Sequence, residues 1–214
     1  MDAGETVIID YGMGNLRSVE NALRAVGGSP VIRRDPEFVR SAARCILPGV
    51  GAFGDAMANL RRSGMDRAIG DAARSGTPVL GLCLGLQLLF SSSEEFGLHE
   101  GLGLIPGRVR RFDLPGLRVP HVGWNQVESL QADPLLSGTP EGAYFYFIHS
   151  YYVEPESDSD VLAWTDYGCR FCSIARRGSV WGAQFHPEKS QEAGRRLLQN
   201  FLSLAGIGAY GVPA

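Results

Sequence analysis

No stretch of this sequence approaches the roughly 18 uninterrupted apolar residues that a membrane-spanning helix requires. The N-terminus lacks a secretory signal as well: Asp2 and Glu5 stand where basic residues belong, and the apolar run at 7–9 is too short for a signal core. Basic residues are not in excess, with 20 Lys plus Arg against 23 Asp plus Glu and a net charge of -3, so nothing draws a nucleic acid or an anionic membrane to this surface. Cysteine is scarce, four in 214 residues, which excludes a disulfide-framed secreted domain and leaves Cys45, Cys83, Cys169 and Cys172 as thiols in a reducing compartment. A soluble, intracellular, cytoplasmic protein is expected. Repeats, low-complexity tracts and linkers are missing too, so residues 1–214 are read as one domain with its core at about 6–205.

What is present is a globular composition, 44% hydrophobic and 20% charged, arranged in alternating elements. Short apolar runs at 6–10, 30–33, 44–47 and 78–82 read as buried strands. Between the first two, Leu16, Val19, Leu23 and Val26 recur at helical spacing and Gly27-Gly28 ends the helix. Such alternation predicts an α/β fold with an open, mainly parallel sheet and helices on both faces. Beyond Phe90 the pattern changes to strands at 107–112, 143–148, 151–153, 161–166, 171–175 and 180–185, an antiparallel extension of that sheet, with an exposed loop at 155–160. An amphipathic helix at 190–204 closes the chain. Residues 206–214 are assigned no role.

Chemistry is concentrated at two places. Gly81-Leu82-Cys83-Leu84-Gly85 follows an apolar strand and opens a helix, the cysteine form of a nucleophile elbow, in which flanking glycines permit close backbone approach. Cys83 would stand at a helix N-terminus, where the dipole favours thiolate, and the Leu84 N–H would face a developing oxyanion. On the motif alone a structural thiol in a Gly-rich turn remains open. The second place is Gln184-Phe185-His186-Pro187-Glu188: two positions apart in extended backbone, His186 and Glu188 project to the same side, so the acid can orient the base. Nucleophile, base and orienting acid form the general triad, whatever their chain order.

A second oxyanion donor is expected in the loop after the third strand, around Val50 and Gly51. Gly49-Val50-Gly51-Ala52-Phe53-Gly54 also fits the dinucleotide fingerprint G-x-G-x-x-G, but it follows the third strand, with Pro48 delaying the helix and no acid ending the next strand. Cys169 and Cys172 have neither a second CxxC nor a histidine pair to complete a zinc site, and are read as structural thiols. No cofactor and no metal are expected. His99 and His121 are read as isolated surface or loop residues, and His149 as the end of an aromatic, mainly core strand.

Together these segments resemble the class I glutamine amidotransferases. Asp10-Tyr11-Gly12-Met13-Gly14-Asn15, Pro120-His121-Val122-Gly123-Trp124-Asn125, the segment 144–151 and His186-Pro187-Glu188-Lys189-Ser190 narrow the resemblance to the glutaminase subunits of imidazole glycerol phosphate synthases. The resemblance implies a flavodoxin-like sheet with the site at its C-terminal edge. It also implies glutamine hydrolysis through a Cys83 thioester, with ammonia passed to a (βα)8-barrel cyclase subunit. By the same resemblance Gln87, Glu95, Ser150 and Tyr151 contact glutamine, while Pro120, Trp124, Tyr146 and Lys189 face the cyclase. The rival readings are a glutaminase for another synthase (anthranilate, aminodeoxychorismate or pyridoxal phosphate), a catalytically silent regulatory subunit, and a nucleotide-binding module.

Overall fold

The structure is a computed structural model that describes residues 5–129 and 131–205; residues 206–214 lie outside it. The chain runs β1 (Thr6–Ile9), α1 (Leu16–Ala25), β2 (Pro30–Arg33), α2 (Pro36–Arg40), β3 (Arg44–Gly49), α3 (Phe53–Ser63), α4 (Met65–Arg74), β4 (Val79–Cys83) and α5 (Leu84–Leu88). It continues through β5 (Phe90–Ser93), β6 (His99–Glu100), β7 (Ile105–Arg111), β8 (His121–Ser129), β9 (Ala143–His149), β10 (Tyr151–Pro155), β11 (Val161–Asp166), β12 (Arg170–Arg177), β13 (Val180–Ala183) and α6 (Gln191–Ser203). Among the described residues no helix is long and apolar enough to cross a membrane.

The main sheet has the order β2-β1-β3-β4-β13-β12-β10-β7-β5-β6. From β2 to β13 the pairs are parallel. At β12 the direction reverses, and β12–β13, β10–β12 and β10–β7 are antiparallel. β11 joins β12 to the β8–β9 hairpin, which leaves the main path. Two hydrophobic layers cover the two faces. Phe53, Met57, Leu60, Met65 and Ile69 from α3 and α4 pack on one; Val19, Leu23, Leu197, Leu198 and Phe201 from α1 and α6 pack on the other. Each such buried large apolar side chain contributes about 1.5–3 kcal/mol of transfer free energy.

α1 starts where the Asn15 side chain accepts the Ser18 N–H at 3.3 Å and ends before Gly27, whose φ is +86°. Several elements depart from the sequence reading, α2, β5 and β6 among them. α3 and α4 were not expected, because much of their buried stripe is small or flexible (Ala56, Met57, Ala68, Ala72) rather than a run of large aliphatics. β8 is not legible in the sequence because its polarity is largely inverted: the inward positions include His121, Gly123 and Asn125, while the outward Val122 and Trp124 are apolar. The 155–160 segment is not a simple exposed loop: its first residue completes β10, and Asp160 is buried against Arg177 at 3.1 Å. β13 ends at Ala183, two residues early, and it is not purely part of the antiparallel extension: it pairs parallel with β4 and is the last strand of the parallel half.

The register sets the site. Gly49 lies opposite Cys83 and Ala183 opposite Leu82, so the ends of β3, β4 and β13 deliver three loops to one sheet edge.

Candidate active site

Cys83 ends β4 and α5 begins at the next residue, so the strand-to-helix turn is made at Cys83 itself, whose backbone takes φ 54° and ψ -109°. A non-glycine residue there carries about 1–3 kcal/mol of strain, which the packing around it must hold. The flanking glycines show how. A Cβ on Gly81 would sit 2.6 Å from the Gly85 carbonyl, and one on Gly85 would sit 1.8 Å from the Leu47 carbonyl oxygen. The elbow forms only because both side chains are missing. The Cys83 thiol lies near the Ile148 carbonyl at 3.9 Å and the Gln184 amide nitrogen at 3.9 Å.

His186 and Glu188 meet as expected: Nδ1 donates to Oε1 at 2.8 Å. The route differs from the expected extended segment. Only His186 is extended; Pro187–Lys189 is a 3-10 turn, and the curl rather than strand alternation brings the carboxylate back to the ring. That turn is fixed on both sides, because the Ser190 hydroxyl donates to the His186 carbonyl at 2.6 Å and accepts from the Tyr146 N–H at 3.0 Å. Nε2 of His186 is buried and has no hydrogen-bond partner among the described residues, although Cys83 is near enough to act on the ring. Contacts of this kind are often long until substrate binds.

Burial opposes a charge on the His186 ring, but the interactions with Cys83 and Glu188 outweigh it and raise the imidazole pKa to about 9. A ring raised from 6.5 contributes stability that is complete below about pH 6.5 and is lost as pH rises through about 9. Either partner's removal takes away a raising cause, so Cys83→Ala and Glu188→Gln should each lower the His186 midpoint in an NMR titration. An unchanged midpoint in both variants would mean that the two groups do not act on the ring.

One cavity of about 850 Å³ takes in Cys83, Leu84, His186, Val50, Gly51, Gln87, Glu95, Ser150 and Tyr151, so the residues singled out from the sequence for nucleophile, base, oxyanion and substrate contacts line one space. Glu188 stands behind the ring. Phe96 and Arg111 also line it, and no sequence motif marked them; Ile148 and His149 line it too, from the 144–151 segment, where the sequence reading assigned them no role at the site. Glu95 is engaged as well: its Oε2 accepts the Phe53 N–H at 2.6 Å, which caps the helix that follows the Val50-Gly51 loop. Gly49 was grouped with that loop, but it is the buried end of β3, packed so that a Cβ would sit 2.8 Å from the Gly85 nitrogen. Conformational freedom therefore lies at Val50 and Gly51, where φ is +101° at Gly51.

Pro120 and Lys189 lie at the cavity, and outside it Trp124, Tyr146 and Lys189 form a cluster. Trp124 meets Tyr146 edge to face at 6.1 Å, and the Lys189 ammonium lies 5.7 Å from the Tyr146 ring. Around them the outer face of the β8–β9 hairpin exposes Val122, Trp124, Tyr144 and Ile148. The inner face of the aromatic strand, Phe145 and Phe147, is core as expected.

The reading of His121 is overturned. It is a buried β8 residue, bonded to His149 at 3.0 Å and stacked on Tyr167 at 4.0 Å. His99 is half-buried in β6 beside Gly54 of α3. All four cysteines are free thiols, and burial pushes Cys45 up to about 12 and Cys172 upward as well.

A strained cysteine, a carboxylate-held imidazole and this sheet topology define a class, and the family model described as glutamine amidotransferase class-I matches residues 7–204. The chain belongs to that family. Within it, the chain is 52% identical over 203 residues to the imidazole glycerol phosphate synthase subunit HisH of Syntrophotalea carbinolica, covering 91% of this chain and 98% of that one. It is 53% identical to the HisH subunit of Symbiobacterium thermophilum over 196 residues, 91% and 92% of the two chains. These relatives place it among the HisH subunits. Solved structures share the fold at lower identity: a glutamine amidotransferase at TM-score 0.73 and 22% identity over 94% of this chain and 99% of that one, and PurLQS from Thermotoga maritima at TM-score 0.74 and 20% identity over 92% and 97%.

Proposed function

We propose that this chain is the glutamine-hydrolysing subunit of an imidazole glycerol phosphate synthase and passes ammonia to a (βα)8-barrel cyclase partner. The observation that carries the reading is the meeting of Cys83, His186 and Glu188 at one sheet edge, in a cavity also lined by Gln87, Glu95, Ser150 and Tyr151. The Cys83 sulfur attacks the amide carbon of glutamine while the carbonyl oxygen takes up charge. Leu84 opens α5, so its N–H is one of the unpaired donors of a helix start and can face that oxygen. The C–N bond then breaks as His186 gives its proton to the leaving nitrogen, yielding ammonia and a thioester. Water attacks the thioester, His186 takes the water proton, and glutamate leaves as the thiolate reforms. Glu188 holds the ring and balances its charge throughout.

Glu95 suits the α-ammonium of glutamine, since one carboxylate oxygen is used on Phe53 and the other is left for a cation. The second oxyanion donor comes from the Val50–Gly51 peptide. Gly51 lets this unit rotate, and the exposed Val50 lines the cavity together with Pro120 and Lys189, two of the four residues assigned to the cyclase face. Docking can therefore present or withdraw the donor, an effect of about 10²–10³ in rate. The test is steady-state glutamine hydrolysis by the chain alone, with cyclase, and with cyclase loaded with its nucleotide ligand. The rate should rise steeply across the three. Equal rates would remove the gate, and no hydrolysis in any of them would remove the glutaminase reading.

A further inference from the structure

From the cavity wall back into the core runs a polar chain whose two histidines the proposed chemistry does not use. Asn125 Nδ2 lies 3.3 Å from His121 Nε2, His121 Nδ1 lies 3.0 Å from His149 Nε2, and His149 Nδ1 lies 2.8 Å from the Tyr151 carbonyl oxygen. A carbonyl only accepts, so His149 carries its proton on Nδ1 and accepts at Nε2. His121 must then donate from Nδ1 and accept from Asn125 at Nε2. Asn125 is itself fixed, donating to the Asp166 carbonyl at 2.8 Å and accepting the Gln126 N–H at 2.8 Å. Every donor in the chain points toward Tyr151.

Both rings are buried among aromatics. His121 stacks on Tyr167 at 4.0 Å and on Phe147 at 5.0 Å; His149 packs against Phe112 and Phe171 at 5.2 Å each. Among the described residues no carboxylate acts on either ring, and burial keeps both neutral, His121 lowered to about 4 and His149 to about 3. A buried imidazole pair with all four ring nitrogens matched is costly to assemble and specifies one geometry.

The chain ends on a shared acceptor. The Tyr151 carbonyl also takes a proton from Gln87 Nε2 at 3.0 Å, and the second Gln87 amide proton goes to Gln184 Oε1 at 3.2 Å. With both N–H groups so engaged, the carboxamide has one orientation, and its oxygen is left for the cavity that Gln87 lines. A flipped amide would set oxygen against oxygen at Tyr151.

We propose that His149, held by His121 and Asn125, is a positioning residue for glutamine: it anchors the Tyr151 carbonyl and thereby fixes the Gln87 carboxamide with its oxygen toward the substrate. The inference rests on the glutaminase reading. It joins the back of the β8–β9 hairpin, whose front is the exposed docking face, to the substrate wall.

The test compares His149→Leu with His149→Asn in the full chain assembled with its cyclase. Asparagine keeps a donor near the Nδ1 position and leucine keeps none. His149→Leu should raise the glutamine KM about tenfold with little change in kcat, and His149→Asn should recover most of that loss. If leucine disrupts folding, His121→Phe carries the test, because it keeps the stacked ring while removing the bond to His149; a rise in KM of about threefold is expected. A KM within twofold of the wild type in the folded variant overturns the proposal, as does an asparagine variant no better than leucine. A second readout is independent of activity: ¹⁵N spectra of histidine-labelled protein should show two neutral rings protonated at Nδ1. Protonation at Nε2 in either ring overturns the proposal even if the chain proves to hydrolyse no glutamine, whereas Nδ1 tautomers in a chain without glutaminase activity would refute the function alone and leave the anchor in place.

Discussion

Cys83→Ala is expected to abolish glutamine hydrolysis while the protein stays folded and binds its partner. The substitution removes the sulfur that forms the thioester, and no neighbouring group can replace it, because Gln184 and Gln87 are neutral amides and both are hydrogen-bonded. The structural cost is small: besides its interaction with the His186 ring the thiol has long contacts of 3.9 Å to the Ile148 carbonyl and the Gln184 amide, and alanine leaves the backbone requirement at this position unchanged. Ammonia supplied directly should restore the synthase reaction. His186→Ala should lose about 10⁴-fold or more, since the ring moves a proton in both half-reactions; Glu188→Gln should lose less, because the acid only orients and balances the ring. Joining Cys83→Ala to His186→Ala should cost nothing further, as triad members act as a unit. Turnover above a trace in Cys83→Ala would exclude Cys83 as nucleophile, and a larger loss for Glu188→Gln than for His186→Ala would reverse the assigned roles.

Gly85→Ala should destabilise the protein by more than about 3 kcal/mol and remove activity with it. Its Cβ would stand 1.8 Å from the Leu47 carbonyl oxygen, backbone against backbone, where no rotamer change gives relief. Either β3 or the elbow must shift, and both carry the site. Gly178→Ala is the matched control, because that turn has φ +59° and open space around the missing Cβ, so only backbone strain is added, about 1–2 kcal/mol. Denaturant unfolding of the two variants separates contact from strain. A Gly85→Ala protein as stable as Gly178→Ala would show that the elbow tolerates a side chain.

The sequence alone determined the parts whose signal is local. A strand running into Gly81-Leu82-Cys83-Leu84-Gly85 states its own geometry, because only glycines allow that approach, and His186-Pro187-Glu188 names the base and the acid, although the 3-10 turn that joins them replaces the extended segment read from the sequence. Four short apolar runs, with a helical pattern between the first two, were enough for β1 to β4, but not for the parallel pairing of β13 with β4. What the tertiary structure decided is what depends on distant pairing. His121 and His149 are 28 positions apart and meet only because β8 and β9 pair in the register His121 opposite His149. Glu95 caps a helix that begins 42 residues before it. α3 and α4 exist because a neighbouring sheet face covers stripes too weak to announce themselves. A residue's chemistry can be read from its type and its neighbours in sequence, but its partner is set by strand register, and register is fixed only when the whole sheet closes on its core.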